Sequence, residues 1–337
     1  MKTNSTLPSN LLLSLVIPTM DRQTLLAETL STIAPQLSSK VELVVLDSSK
    51  DSKPVQEMVQ KAGGRYSWTS PSNFDQAYID VVDLARGEYV WLFGDDDLLK
   101  SKAIEEVLEI LNSSRTLNKN PVDIFSAKDG LDEIIPLDLL IVNADVIGHD
   151  SSLILKKQWL TLPKTEYTSA DRSEVVAKLG GLMSFMGSII VRKAFWSKGV
   201  TAATDHIGKR MITMIVPLII PAHRVIYIPS VLVSARYGHQ SWQSTVSTLI
   251  GKTMTDVIWS LPDVAEYAKQ ACMCRPPSWH SLFLWRACGQ TVGRLPYRRA
   301  QLIGIIPVPL MRWGCRILVR LLGKTGSMTG YTLGFNR

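Results

Sequence analysis

After Glu266 the chain has no acidic residue, yet 11 lysines and arginines follow before its end at residue 337. The first 266 residues carry 26 basic and 30 acidic side chains, so an acidic body is joined to a +11 tail. Cysteine is scarce: Cys272, Cys274, Cys288 and Cys315 are all that occur, and all lie late in the chain. That excludes a disulfide-built scaffold and points to free thiols in a reducing compartment. The CMC triplet at 272–274 is too isolated for a zinc site. No apolar run reaches the roughly 20 residues a spanning helix needs. QLIGIIPVPLM and MITMIVPLIIP are about half that, and each contains proline. The early LLLSLVI run is short, β-rich and followed by Pro18, unlike a cleavable signal. Repeats and low-complexity stretches are missing too.

What is present is an alternation of strand and helix patterns. Leu12 to Ile17 reads as a buried strand, and Thr24 to Ile33 as a helix with Leu26, Thr29, Leu30 and Ile33 on one stripe. VELVVLD (41–47) is a second strand, PVQEMVQKAGG a helix bracketed by Pro54 and Gly63-Gly64, and RYSWTS a short strand. A helical stripe over Asn73 to Ala85 leads into the strand EYVWLFG, and Leu98 to Leu111 is expected to continue as a helix. Such alternation predicts an α/β fold with a mostly parallel sheet covered by helices, in which ligands bind beyond the carboxyl ends of the strands. Polar clusters stand at three of those ends: Thr19/Asp21/Arg22, Asp47/Ser48/Ser49, and the triplet Asp95/Asp96/Asp97.

Three adjacent carboxylates at the end of a buried strand repel one another, and a hard divalent cation such as Mg2+ or Mn2+ would relieve them. A solvated turn whose aspartate caps the next helix is the competing explanation; the two other polar strand ends favour the site. From 120 to 250 the pattern is mixed, with strand-like pieces at IFSA, DLLIVNADVI, SSLIL, GSIIVRK and RVIYIPSVLVSARY. The expected organisation is a domain over 1–250, divided near 115, followed by a basic helical region over 251–337.

LSLVIPTMDR, VELVVLDSS, NFDQA and ARGEYVWLFGDDDLL together resemble the nucleotide-sugar half of inverting family 2 glycosyltransferases of the GT-A fold. The nearer likeness is to the abequosyltransferase-like branch of bacterial surface-polysaccharide enzymes, which shows a W-x-F-G-x-D-D-x-L block. The resemblance spans roughly residues 11–112 and loosens beyond. It implies that Pro18, Thr19, Asp21 and Arg22 line a nucleotide pocket, with Asp47 and Ser49 at the second strand end and Asn73 and Asp75 over the nucleotide. Asp96 and Asp97 match the paired metal-binding acids, with Asp95 beside them as ligand or neighbour. Gly94 stands where the commoner D-x-D-D form has its first acid. Asp205 lies roughly where the family carries its catalytic base, with His206 beside it as a second candidate and Asp171 a third; Asp205 could equally cap the following helix. Arg236, His239 and Trp242 follow a strand where the family closes over donor or acceptor, and Ser184 to Ser188 would line the acceptor side.

In the tail, Arg312, Arg316 and Arg320 share one side of a helix pattern, away from Leu310, Trp313, Ile317 and Leu321. A basic amphipathic helix of this kind suits an anionic membrane surface; a helix packed on the body with its arginines in water is the plain alternative, and no nucleic-acid module of known type is present. The expectation is therefore a cytoplasmic enzyme peripherally attached to the inner face of the plasma membrane. It would transfer a sugar from a nucleotide-sugar donor to an oligosaccharide, polyprenyl-diphosphate-linked as the resemblance implies. Its rivals are a polyprenyl-phosphate glycosyltransferase, a nucleotide-binding module of the same fold without activity, and a nucleotidyltransferase. The last wants a glycine-rich basic loop that IPTMDRQT does not provide.

Overall fold

In the computed structural model, residues 11–116, 135–148, 151, 153–162, 164–180, 183, 185–237 and 253–274 are described. The first hundred of these follow the expected alternation: β1 (Leu13–Thr19), α1 (Gln23–Ile33), β2 (Val41–Asp47), α2 (Lys53–Lys61), β3 (Arg65–Trp68), α3 (Phe74–Leu84) and β4 (Tyr89–Leu92). β1 pairs in parallel with β2 and β4, and β2 with β3, so the carboxyl ends of these strands share one edge. Their apolar runs are buried on both faces, as the continuous LSLVI and YVWL patterns require. Leu26, Thr29, Leu30 and Ile33 of α1 are the stripe turned inward.

Beyond the acid triplet the chain departs from expectation. Leu98–Leu99 form β5 and not the start of a helix, because their backbone pairs antiparallel with Val233 and Ser234 of β10 (Arg224–Arg236). Helix α4 starts only at Ala103 and runs to Thr116, after Lys102 has taken φ 63°. The triplet therefore caps no helix.

The later elements extend the same sheet: β6 (Leu137–Ile147), β7 (Ile154–Lys156), β8 (Glu166–Thr168), α5 (Arg172–Leu179), β9 (Ile189–Arg192), α6 (Lys193–Ala202) and α7 (Ile212–Ile219). The strand order is β3-β2-β1-β4-β9-β6-β10-β5, with β7 on β6 and β8 on β10. β9 enters antiparallel to both β4 and β6, so the sheet is parallel on its first side and mixed on its second. β6 and β10 run parallel, with register shifts around Pro229.

Two short helices, α8 (Met254–Ser260) and α9 (Glu266–Cys274), close the described part. Met254, Val257, Ile258, Ala268 and Cys272 are buried in the common core. Residues 253–274 thus pack on the main body. Burial pushes the Cys272 thiol up to about 12, as suits an inert core residue. The MITMIVPLIIP stretch is α7, all eight of whose residues are buried against the body. Among the described residues no helix is long and apolar enough to cross a membrane. The tail with Arg312, Arg316 and Arg320 lies outside the described residues, as do Ser184, His239 and Trp242.

Candidate active site

The buried run of β4 continues through Phe93, whose ring meets Trp91 edge-on at 5.9 Å. The Trp91 indole N–H donates to the Gly187 carbonyl at 2.9 Å, which draws the 185–188 turn to this strand end. The chain turns at Gly94, where a Cβ would stand 2.7 Å from Asp97 Oδ2 and 3.1 Å from Asp96 Oδ1, so a side chain there would displace these carboxylates.

The triplet faces a cleft of about 340 Å3. Pro18, Thr19, Met20, Arg22, Ser48, Asn73, Arg210 and Arg236 contribute to its wall, and a more apolar side is formed by Trp159, Phe185 and several methionines. Thr19 Oγ1 donates to Asp95 Oδ2 at 2.8 Å, and Arg22 bridges Asp95 and Asp96 at 2.8 and 2.7 Å. Asp97 accepts the Arg236 backbone N–H on Oδ1, and its carbonyl accepts from Thr29 at 2.8 Å. Burial raises the Asp95 carboxyl to about 7; Arg22 opposes the rise and Asp96 adds to it. Asp97 is raised well above its ordinary value by burial and then by Asp96. Burial alone would pull the Arg22 guanidinium down, but Asp95 and Asp96 leave it raised. Crowding and burial of these carboxyls thus raise their affinity for protons even with Arg22 bridging two of them.

The donor chemistry here suits a divalent cation: Asp96 and Asp97 both line the cleft, and carboxylate oxygens are the donors a hard cation takes. Among the described residues no group of three or more histidine, cysteine or carboxylate side chains is arranged to hold a metal. Two carboxylates completed by substrate oxygens is a common way of holding magnesium.

Other expected site residues are placed differently. Asp47 is fully buried, taking the Ser49 N–H at 2.8 Å on Oδ1 and the Tyr66 hydroxyl at 3.0 Å on Oδ2. Ser49 Oγ in turn accepts the Asp21 N–H at 2.8 Å, where Asp21 has φ 55°. Asp21, Asp47 and Ser49 thus lock two strand-end loops together, while Ser48 reaches the cleft. Asn73 lines the cleft and caps α3 through the Gln76 N–H. Asp75 points away, into the segment before α7, where it accepts the N–H groups of Arg210 and Ile212 at 2.8 and 3.0 Å. Burial raises its carboxyl despite these bonds. Arg236 lines the cleft but is spent on the triplet's own frame: Nε donates to the Asp96 carbonyl and Nη2 pairs with Glu28.

The structure places the expected base off the cleft. Asp205 is exposed on a short 3-10 turn (Thr204–His206) and neither it nor His206 lines the cleft. His206 faces Ser260 of α8, and burial lowers its pKa. The Asp171 carboxylate is occupied in a capping box with Thr168 and an ion pair with Lys164. Among the described residues the only carboxylates lining the cleft are Asp95, Asp96 and Asp97. Missed by sequence reasoning were Arg210 and Trp159, the latter stacked on Phe185 of the expected 184–188 segment, 5.2 Å apart at 15°. Neither lies in a recognisable motif, and three separate segments bring these residues together.

Residues 14–126, about a third of the chain, match the family model described as Glycosyl transferase family 2. A Campylobacter jejuni protein described as GalNAc(5)-diNAcBac-PP-undecaprenol beta-1,3-glucosyltransferase is 33% identical over 106 residues, covering 30% of this chain and 34% of that protein. Abequosyltransferase RfbV of Salmonella typhimurium is 24% identical over 178 residues, covering 44% and 54%. The chain thus spans about a third and about half of these relatives' lengths. Among solved structures, S. aureus TarS 1-349 in complex with UDP-GlcNAc superposes with a TM-score of 0.52 at 14% identity, over 81% of this chain and 73% of that one. With the sheet, the strand-end acids and the matched segment in agreement, residues 14–126 match glycosyl transferase family 2, and the described chain has a GT-A fold like that of TarS.

Proposed function

We propose that this chain moves one sugar from a nucleotide-diphospho-sugar onto a lipid-linked surface oligosaccharide, with inversion at the transferred carbon. The observation that carries the reading is the clustering of Asp95, Asp96 and Asp97 along the cleft at the end of β4. Asp96 and Asp97 would hold Mg2+ or Mn2+, with Asp95 held back by Thr19 and Arg22. When bound, such a cation neutralises charge on a leaving diphosphate. Arg22 keeps the acids in place by spanning two of them, and Thr19, Ser48 and Asn73 offer the nucleotide hydrogen-bonding groups along the cleft wall. Trp159, Phe185 and the neighbouring methionines make one side of the cleft apolar, which would help exclude water from the reacting carbon.

A lipid-linked acceptor is supported by the undecaprenol-linked substrate in the Campylobacter relative's description and by the basic tail, which suits the anionic inner face of the plasma membrane. Thermal shift against a panel of nucleotide sugars, with and without Mn2+, tests the reading. One donor should raise the melting temperature only with the metal, and that donor should be hydrolysed slowly without acceptor. Stabilisation without any turnover, in the presence of lipid-linked acceptors, would instead identify a nucleotide-binding module.

A further inference from the structure

Among the described residues three arginines line the cleft, and two of them are paired with carboxylates. Arg22 is neutralised by Asp95 and Asp96, and Arg236 by Glu28. Among the described residues the Arg210 side chain has no hydrogen bond, ion pair or ring contact; only its backbone N–H is engaged. It lines the cleft while remaining exposed.

The backbone that carries it is unusual. Arg210 has φ 60°, in the left-handed region that residues with a side chain seldom occupy. What holds it there is Asp75, fully buried on α3 and 135 residues away in sequence. Oδ2 of Asp75 takes the Arg210 N–H and Oδ1 takes the Ile212 N–H, so one carboxylate fixes the turn on both sides of Met211. Burying a carboxylate to shape a short surface turn costs free energy that its backbone hydrogen bonds only partly offset. The one side chain placed in the cleft by that turn with its charge uncompensated is that of Arg210.

We propose that Arg210 is a phosphate-binding residue of the cleft and that Asp75 is its positioning residue. The proposal rests on the nucleotide-sugar reading above and adds a cationic contact outside the acid triplet and its metal. A guanidinium suits the work, since it meets two phosphate oxygens at once. The phosphate could come from the donor nucleotide or from a polyprenyl diphosphate on the acceptor.

Calorimetry on the full chain with Mg2+ separates these sources, using a panel of nucleoside diphosphates and, in a second arm, a polyprenyl diphosphate in micelles. Arg210→Ala should weaken the affected probe about tenfold, the loss of a charge-assisted pair, with a melting temperature within about 2 °C of wild type. Arg210→Lys should recover part of the loss. Asp75→Asn should weaken the same probe, and the double variant should be no weaker than Arg210→Ala, an effect that a merely structural aspartate would not give. A loss confined to nucleoside diphosphates assigns the donor, and one confined to the polyprenyl diphosphate assigns the acceptor. Wild-type binding retained within about twofold by Arg210→Ala in both arms would overturn the assignment alone. A wild type that binds neither probe would overturn the glycosyltransferase reading and this assignment with it.

Discussion

At the scale of single residues, Gly94 shows how tightly the acids are arranged. Gly94→Ala would drive a methyl group into Asp97 Oδ2 and Asp96 Oδ1. We expect Mn2+ affinity, followed by calorimetry, to fall about tenfold, with an overpacking cost of about 1–3 kcal/mol in urea unfolding. Asp205→Asn should leave turnover within about twofold of wild type, since its carboxylate stands in solvent and off the cleft; a large loss would restore it as the base. Lys156 provides a pH test. Burial lowers its ammonium from 10.5 to about 8, while its Nζ donates to the Trp159 carbonyl. Below pH 8 the lysine is charged in both folded and unfolded chains, so the burial cost is fully present. From 8 to 10.5 the folded chain releases its proton first, and stability rises with pH. Lys156→Met should therefore stabilise by about 1 kcal/mol at pH 7 after allowance for solvent screening. Its advantage should shrink as pH climbs towards 10.5.

At the scale of elements, α7 is apolar enough to suggest a lipid-facing segment, yet it is a core helix with its polar ends provided for. Its N-terminus is tied by Asp75 to Ile212, and at its other end Arg172 Nη2 donates to the Leu218 and Ile219 carbonyls at 3.1 and 3.2 Å. The same guanidinium reaches the Pro262 carbonyl and so ties α5 to both α7 and the segment between α8 and α9. Arg172→Ala should cost about 2 kcal/mol in equilibrium unfolding through these unsatisfied carbonyls. A local reading of DLLKSKAIEEVLEIL runs the helix from Leu98, because its apolar spacing is helical. The competing interaction is an antiparallel pairing with β10 more than 130 residues later, which no local pattern contains.

At the scale of the whole molecule, charge is divided along the chain: residues 1–274 carry 27 basic and 30 acidic side chains, and the remaining 63 carry 10 basic and none acidic. The full chain should co-sediment with anionic vesicles at low salt and dissociate near 0.5 M salt, on the order of the ionic strength that screens such contacts. Replacing Arg312, Arg316 and Arg320 together by glutamate should abolish binding; unchanged binding would remove the tail from membrane attachment.

The parallel half of the sheet, its helices and the acid triplet at the end of β4 could be read from the order of residues alone, since strand burial, helix stripes and a row of adjacent carboxylates are local patterns. Tertiary structure alone decided what the polar residues do. Asp47, Asp75 and Arg236 are chemically suited to bind a nucleotide, but each has its hydrogen-bonding capacity taken by a backbone or side chain distant in sequence. Arg210 shows the reverse: nothing around it in sequence marks it, and its place in the cleft depends on a carboxylate brought from α3. A side chain's type limits the bonds it can make, and only the packed chain determines which of them remain open to a substrate.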